Sequence, residues 1–358
     1  MLAFVLRERA FGLALVTAVA QLLFGGADVD VHTATWRTGV AFLWVFSTIL
    51  VAAFAVVRHA EALAHRYGEP YGTLILTLSA VAIEVIMISE MMLNASPNPT
   101  LGRDTIYSTL MIIINGLIGV AMLLGGFRYG EQEYNLKSST AFFSMILVIA
   151  AVGLYVPMVV PQASRLAYEV FIVALFALLY LLFLRIQTSS HRYFFVSLRA
   201  GDGHARHAIA PGWLHGALLL GTLALIAYLA ESTATLLDLG VERFRMPAEV
   251  ASLVVALLIL APEGLTALRA GMANDMQRVV NICLGSALST VSLTVPAVLV
   301  VGFATGSPVV LALTPVQAVM LGFSLVIGMT SYRSGETNAL QGAIHFGLFA
   351  TFIALIFL

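Results

Sequence analysis

Long apolar runs separated by short polar segments set the pattern of this chain from end to end. Eleven runs approach or reach the roughly 20 residues that a membrane-crossing helix needs. They cover residues 9–25, 36–57, 71–93, 104–125, 140–161, 167–187, 213–235, 247–270, 277–302, 310–330 and 338–357. Most carry Leu, Ile, Val, Phe and Ala on every face, as helices surrounded by lipid or by other apolar helices do. The alternation over about ten residues that marks a barrel strand is missing. The pattern predicts an all-α, polytopic membrane protein of about 11 transmembrane helices. The first run is short. With ten more behind it, and only Gly25-Gly26-Ala27 as a weak cleavage site, it reads as a retained helix rather than a signal peptide.

Composition agrees with that picture. Of 358 residues, 60% are hydrophobic and 10% are charged, against roughly 25% charged in soluble chains. The formal net charge is −1, with no basic stripe to neutralise phosphates, so nucleic acid is excluded as a partner. The single cysteine, Cys283, cannot form an internal disulfide and lies in an apolar stretch as a small buried side chain. Charge then gives orientation. With the N-terminus inside, 13 of the 18 basic residues fall in inside segments; only Arg37, Arg103, Arg165, Arg243 and Arg245 fall outside. Eleven spans then put the C-terminus outside.

The longest charged connection, 188–212, holds His191, His204, His207 and Asp202. It is expected to be a solvated linker, with metal binding or pH sensing by its histidines as the alternative. It divides the chain into an N-terminal helix (1–32), a first repeat (33–187), the linker (188–212) and a second repeat (213–358).

Two glutamates carry the functional signal, because a charge at membrane depth is expensive and usually faces a cavity that serves transport. Glu84 lies in Ser79-Ala80-Val81-Ala82-Ile83-Glu84, and Glu263 in Leu260-Ala261-Pro262-Glu263-Gly264. Each is followed by a helix with a small polar face. Tyr107, Ser108, Thr109 and Asn115 form the first; Asn281, Ser286, Ser289, Thr290 and Thr294 form the second. Glu84 to Ser108 is 24 residues and Glu263 to Ser286 is 23, with Arg103 and Arg278 near the starts of the two partner helices. Five spans separate the glutamates, so the two units cross the membrane in opposite senses, as two inverted five-helix repeats do. Pro262 and Gly264 predict a break at Glu263 that would free carbonyl oxygens beside its carboxylate.

This donor set suits a hard cation. Calcium prefers six to eight oxygen ligands, and two glutamates also balance its charge. Ser79, Ser108, Asn115, Ser286 and Thr290 join Glu84 and Glu263 as candidate cation and proton ligands. No Cys/His cluster lies in the spans, which disfavours a soft metal. Buried, mutually repelling carboxylates hold protons when empty, and a divalent ion expels them, so one pocket exchanges Ca2+ for H+. Na+ or K+ exchange through the same pocket is the alternative. No resident cofactor is needed. Glu90 and Asp104 could form a vestibule, His345 and Glu336 an accessory gate, and His59, Glu61, His65 and Glu69 an entrance. Gly116, Gly119, Gly125 and Gly126 fit close helix packing. No phosphate loop supports ATP-driven pumping, and no nucleophile or metal triad supports an intramembrane enzyme.

At these residues the chain resembles the bacterial calcium/proton antiporters of the cation/calcium exchanger superfamily. The resemblance runs through Val57-Arg58-His59-Ala60-Glu61 and Ala64-His65-Arg66-Tyr67-Gly68-Glu69-Pro70-Tyr71-Gly72. It continues in Arg103-Asp104-Thr105-Ile106-Tyr107-Ser108, Ala261-Pro262-Glu263-Gly264 and Gly285-Ser286-Ala287-Leu288-Ser289-Thr290. It also includes Ser292-Leu293-Thr294-Val295-Pro296. It implies two inverted repeats after an extra N-terminal helix. It implies cation-ligand roles at Glu84 and Glu263, with Ser108, Ser286 and more loosely Asn115 on the partner helices. It further implies proton-driven calcium efflux across the bacterial inner membrane. The partners are then the cations and membrane lipid, with a homo-oligomer left open. Where the superfamily often has Gly-Asn-Ala before the glutamate, this chain has Ala80-Val81-Ala82 and Ile259-Leu260-Ala261, so an asparagine oxygen is missing in both halves. The linker also lacks the strong acidity of some relatives.

Overall fold

Helices form at all eleven expected places. The computed structural model describes residues 8–24, 36–68, 71–94, 98–190, 193 and 211–358. The helices are α1 Arg9–Phe24, α2 Trp36–Tyr67 and α3 Tyr71–Asn94. α4 is Leu101–Tyr129, α5 Leu136–Met158 and α6 Gln162–Thr188. α7 is Gly212–Arg243 and α8 Glu249–Met272. α9 is Met276–Thr305, α10 Pro315–Ser331 and α11 Ala339–Ile356. Among the described residues, nine are long and apolar enough to cross a membrane; α1 and α10 are shorter. At 1.5 Å per residue, the 17 residues of α10 reach only about 26 Å. The chain is thus a polytopic, almost purely helical membrane protein. Among the described residues the exception is a short antiparallel pair, β1 Glu131–Glu133 with β2 Glu336–Asn338.

Three differences from the hydropathy reading have physical causes. α2 continues ten residues past the expected end at 57 and takes up His59, Glu61 and His65. Hydropathy falls at Arg58, but nothing breaks a helix before Gly68, whose φ of +65° ends it. α7 likewise runs on to Arg243. The expected break at Glu263 does not occur: α8 is continuous through Pro262. Proline still cannot donate to the Leu258 carbonyl, so one rung of the helical ladder is lost while the turn survives. Glu69 and the histidines at 191, 204 and 207 lie outside the described residues.

The chain forms two compact units. One contains α1, α2, α3, α7 and α8 up to Pro262. Its core joins Ile49, Ala52, Ala53 and Val56 of α2 to Leu229, Ala230 and Ala234 of α7, with Ile83 and Met87 from α3. The alanines let α2 and α7 lie close, the usual way for helices to associate in lipid.

The other unit contains α4 from Gly102, α5, α6, α8 from Glu263, and α9 to α11. Here α4 and α11 meet through glycines. A Cβ on Gly126 would stand 2.3 Å from the Ala339 nitrogen, and one on Gly342 would stand 2.5 Å from the Leu123 nitrogen. Both neighbours are backbone and cannot swing aside. Gly126→Ala is therefore expected to push α11 off α4 and destabilise the protein by about 1–3 kcal/mol, read as a lower unfolding temperature in detergent. The unit's helix ends are capped by side chains: Asn135 on α5, Asp275 on α9, Asn338 on α11, and a Thr314/Gln317 capping box on α10.

Candidate cation site

Glu263 stands half-buried in the middle of α8, directly after Pro262. The missing Cβ of Gly264 lets this turn lie against α4: a Cβ there would meet Leu117 at 2.9 Å. Across from it, α9 presents Ser286, whose hydroxyl donates to Glu263 Oε2 at 2.5 Å. That is the length of a charge-assisted hydrogen bond. One turn further on, α9 widens into a π-turn over Thr290–Thr294, with Thr290 buried at its start. Ser292, inside that turn, is fully buried, and its hydroxyl makes no hydrogen bond among the described residues.

Glu84 lies in the middle of α3 and is 3% exposed. Ser79 does not share its face. Five residues on an α-helix are about 140° apart, and the Ser79 hydroxyl donates to the Ile75 carbonyl of its own helix at 2.6 Å. Glu90, near the end of α3, accepts from the Asn94 amide at 2.7 Å and feels the charge of Glu231 on α7.

Ser108 is buried on α4, and a π-turn over Ile112–Leu117 follows it. Asn115, at 0% exposure in that turn, is engaged with other helices. Its Nδ2 donates to Ser324 of α10 at 2.8 Å, and its Oδ1 lies 3.2 Å from His345 Nδ1 on α11. His345 is fully buried, and its other nitrogen lies 3.1 Å from the Ser331 hydroxyl. Asn115 thus joins His345 in a network that ties α4, α10 and α11 together, with no carboxylate bonded to it among the described residues.

Asp104 is not an open vestibule acid. It is 5% exposed and lies 2.8 Å from Arg103, which also donates to the Ala312 carbonyl at 2.8 Å. Gln317 of α10 donates to the same carboxylate at 2.7 Å. Glu336 is exposed in β2, directly opposite Glu133 of β1 and away from His345 in both burial and bonding.

Among the sequence-predicted residues, then, the structure joins Glu263 to Ser286 and Asn115 to His345. Glu84 belongs to one compact unit and Glu263 to the other. Sequence reasoning passed over Gln277, Gln317, Ser324, Ser331 and His215. Gln277 links the Asn135 backbone, Ser138 and Asn281 within hydrogen-bonding distance. An uncharged amide inside an apolar helix was the available signal for both glutamines. Among the described residues, no group of three or more His, Cys, Asp or Glu could hold a metal ion. Any cation bound here must draw on hydroxyls, carbonyls or water besides the carboxylates.

The model of the sodium/calcium exchanger protein family matches residues 38–189 and 214–358. The chain belongs to the sodium/calcium exchanger family. That family consists of transporters, so the chain is no enzyme. The sodium-potassium/proton antiporter ChaA of Escherichia coli (strain K12) is 40% identical over 316 residues, 86% of each chain. The Ca(2+)/H(+) antiporter ChaA of Bacillus subtilis (strain 168) is 22% identical, covering 86% of this chain and 89% of that one. Among solved structures, native YfkE aligns with a TM-score of 0.75 at 19% identity, over 99% of both chains. The H+/Ca2+ exchanger CAX aligns with a TM-score of 0.69 at 12% identity, over 97% of this chain and 88% of that chain. These two likenesses establish a shared fold.

Proposed function

We propose that this chain is a secondary antiporter that exchanges cations for protons through Glu84 and Glu263, with calcium the first candidate cation. The observation that carries this reading is the 2.5 Å bond from Ser286 to the Glu263 carboxylate inside an apolar helix pair. A carboxylate held by a hydroxyl can release that hydroxyl's lone pairs and its own to a cation, or take a proton in the cation's place. Two such groups balance the charge of Ca2+, with serine hydroxyls and water filling the rest of its shell. Competition of protons and cation for the same oxygens couples their movements in opposite directions.

Several features support two inverted repeats, 33–187 and 213–358, after the N-terminal helix of 1–32 and joined by the linker 188–212. α2 and α7 are each 32 residues long, and α3 and α8 are each 24. Glu84 lies 13 residues into α3 and Glu263 lies 14 into α8. In α4 and α9 a π-turn begins four residues after the matched serine, at Ile112 after Ser108 and at Thr290 after Ser286. π-turns of this kind are frequent at functional sites. On this reading eleven helices span the bacterial inner membrane, with the N-terminus cytoplasmic and the C-terminus periplasmic. The ligand set is Glu84, Glu263, Ser286, Ser108 and Thr290, with Asn115 acting through its network.

One observation favours a second reading. The 40%-identical relative is named a sodium-potassium/proton antiporter. The missing asparagine oxygens beside both glutamates also suit an ion that needs fewer ligands. The experiment is ion flux in sealed vesicles with an imposed pH gradient, run with calcium, sodium and potassium separately. Proton movement that none of the three cations alters would end the proposal. Ser286→Ala removes a hydrogen bond to a charged group, worth about 1.5–3 kcal/mol. It is expected to raise the half-saturating cation concentration by roughly tenfold or more, with the protein still folded.

A further inference from the structure

A second set of ionisable groups lies in the unit that holds α1, α2 and α7. Glu8, the residue just before α1, meets two residues of α2. Its Oε2 accepts from Arg58 at 2.5 Å and lies 3.1 Å from His59 Nε2. His59 is fully buried, and its remaining nitrogen, Nδ1, lies 2.9 Å from Nδ1 of His215 near the start of α7. Three helices therefore meet at one chain of side chains, Glu8 to His59 to His215.

Proton positions along this chain follow from its geometry. A carboxylate can only accept, so His59 Nε2 carries hydrogen. In neutral His59 the Nδ1 atom is then an acceptor, and the proton between the two rings belongs to His215. A first added proton, on either ring, leaves one of the two facing nitrogens without hydrogen, and the hydrogen bond between the rings survives. A second leaves none. With both rings charged, two N–H groups would point at each other across 2.9 Å. Arg58, 3.4 Å from His59 Nε2, adds a third positive charge beside the Glu8 carboxylate.

We propose that Glu8, His59 and His215 form a proton-binding site, separate from the transport carboxylates, that holds α1 against α2 and α7 and releases it when both imidazoles are charged. Among the described residues, these charged groups surround the site. α1 supplies Glu8, α2 supplies Arg58 with Glu61 a turn beyond, and α7 supplies His215. Arg66 of α2 lies across the start of α7, where a Cβ on Gly212 would meet it at 2.8 Å. α3 also packs on α2, but its carboxylates, Glu84 and Glu90, are not among the charges acting on His59. The site binds protons alone, and the inference is independent of which cation is transported.

The test uses Trp44 of α2, whose indole donates to Thr17 of α1 at 3.2 Å. It therefore reports on the docking of α1. In a protein with Trp36→Phe and Trp213→Phe, Trp44 is the sole tryptophan. Its emission is followed from pH 8 to pH 5, a range that brackets the ordinary histidine value of about 6.5. The expected result is a sigmoidal shift on acidification. In the same background His215→Gln, which keeps a hydrogen-bonding side chain but cannot be charged, the emission should match its parent at pH 8 and stay flat. The same acid transition in His215→Gln, or no transition in the parent, overturns the proposal. Neither outcome depends on flux, so failure here leaves the antiport reading standing.

Discussion

Glu263→Gln should reduce cation-dependent proton exchange to background while leaving the protein folded. The amide keeps the size of the carboxyl and can still accept from Ser286, so the helix pair retains its contact. What it loses is the charge that attracts the cation and the site that takes up the proton. The expected loss in flux is on the order of a hundredfold or more, about 2.8 kcal/mol at 1.4 kcal/mol per tenfold. Glu84→Gln, in a residue only 3% exposed, is expected to do the same if the two acids act as a pair. The measurement is flux into vesicles under an imposed pH gradient, with thermal unfolding in detergent as the control for folding. Near-normal exchange in both variants would mean that the transported ions bind elsewhere.

The second large effect concerns Arg103, which is expected to be structural. Arg103→Leu removes the guanidinium from a buried carboxylate and from the Ala312 carbonyl at once. Breaking a buried ion pair on one side typically destabilises by about 3–5 kcal/mol, because the remaining charge keeps its desolvation penalty. The double variant Arg103→Leu with Asp104→Asn removes both charges and leaves an oxygen for the Gln317 amide to bond. It should recover most of the lost stability, seen as an unfolding temperature closer to the parent protein. Equal destabilisation in the single and double variants would show that the carboxylate's charge is not what the arginine offsets.

The helices were legible because lipid as solvent demands long apolar runs, and such runs stand out in any window. Their ends were less legible. Hydropathy stops at Arg58, whereas the backbone stops at Gly68, because a helix ends where φ changes and not where charge begins. Proline at 262 misled in the opposite direction, since one missing donor is not enough to interrupt a helix that packing holds on both sides. For the site, Glu263 with Ser286 could be read from spacing, because both belong to neighbouring helices in sequence. The partners of Asn115 could not. Ser324 and His345 lie 209 and 230 residues away, and no local pattern marks a contact at that distance. His59 shows the same limit. Read alone it looks like a loop histidine; its role is visible only once α7 brings His215 to it.

The wide turns in α4 and α9 have one more consequence. A π-turn holds one residue beyond what a regular helix would hold in that span, so each of these helices contains a single residue of slack. Drawing it in would swivel everything downstream by about 100° without unthreading the helix. In α4 the side chain carried round would be Asn115, which is bonded to Ser324 of α10 and His345 of α11.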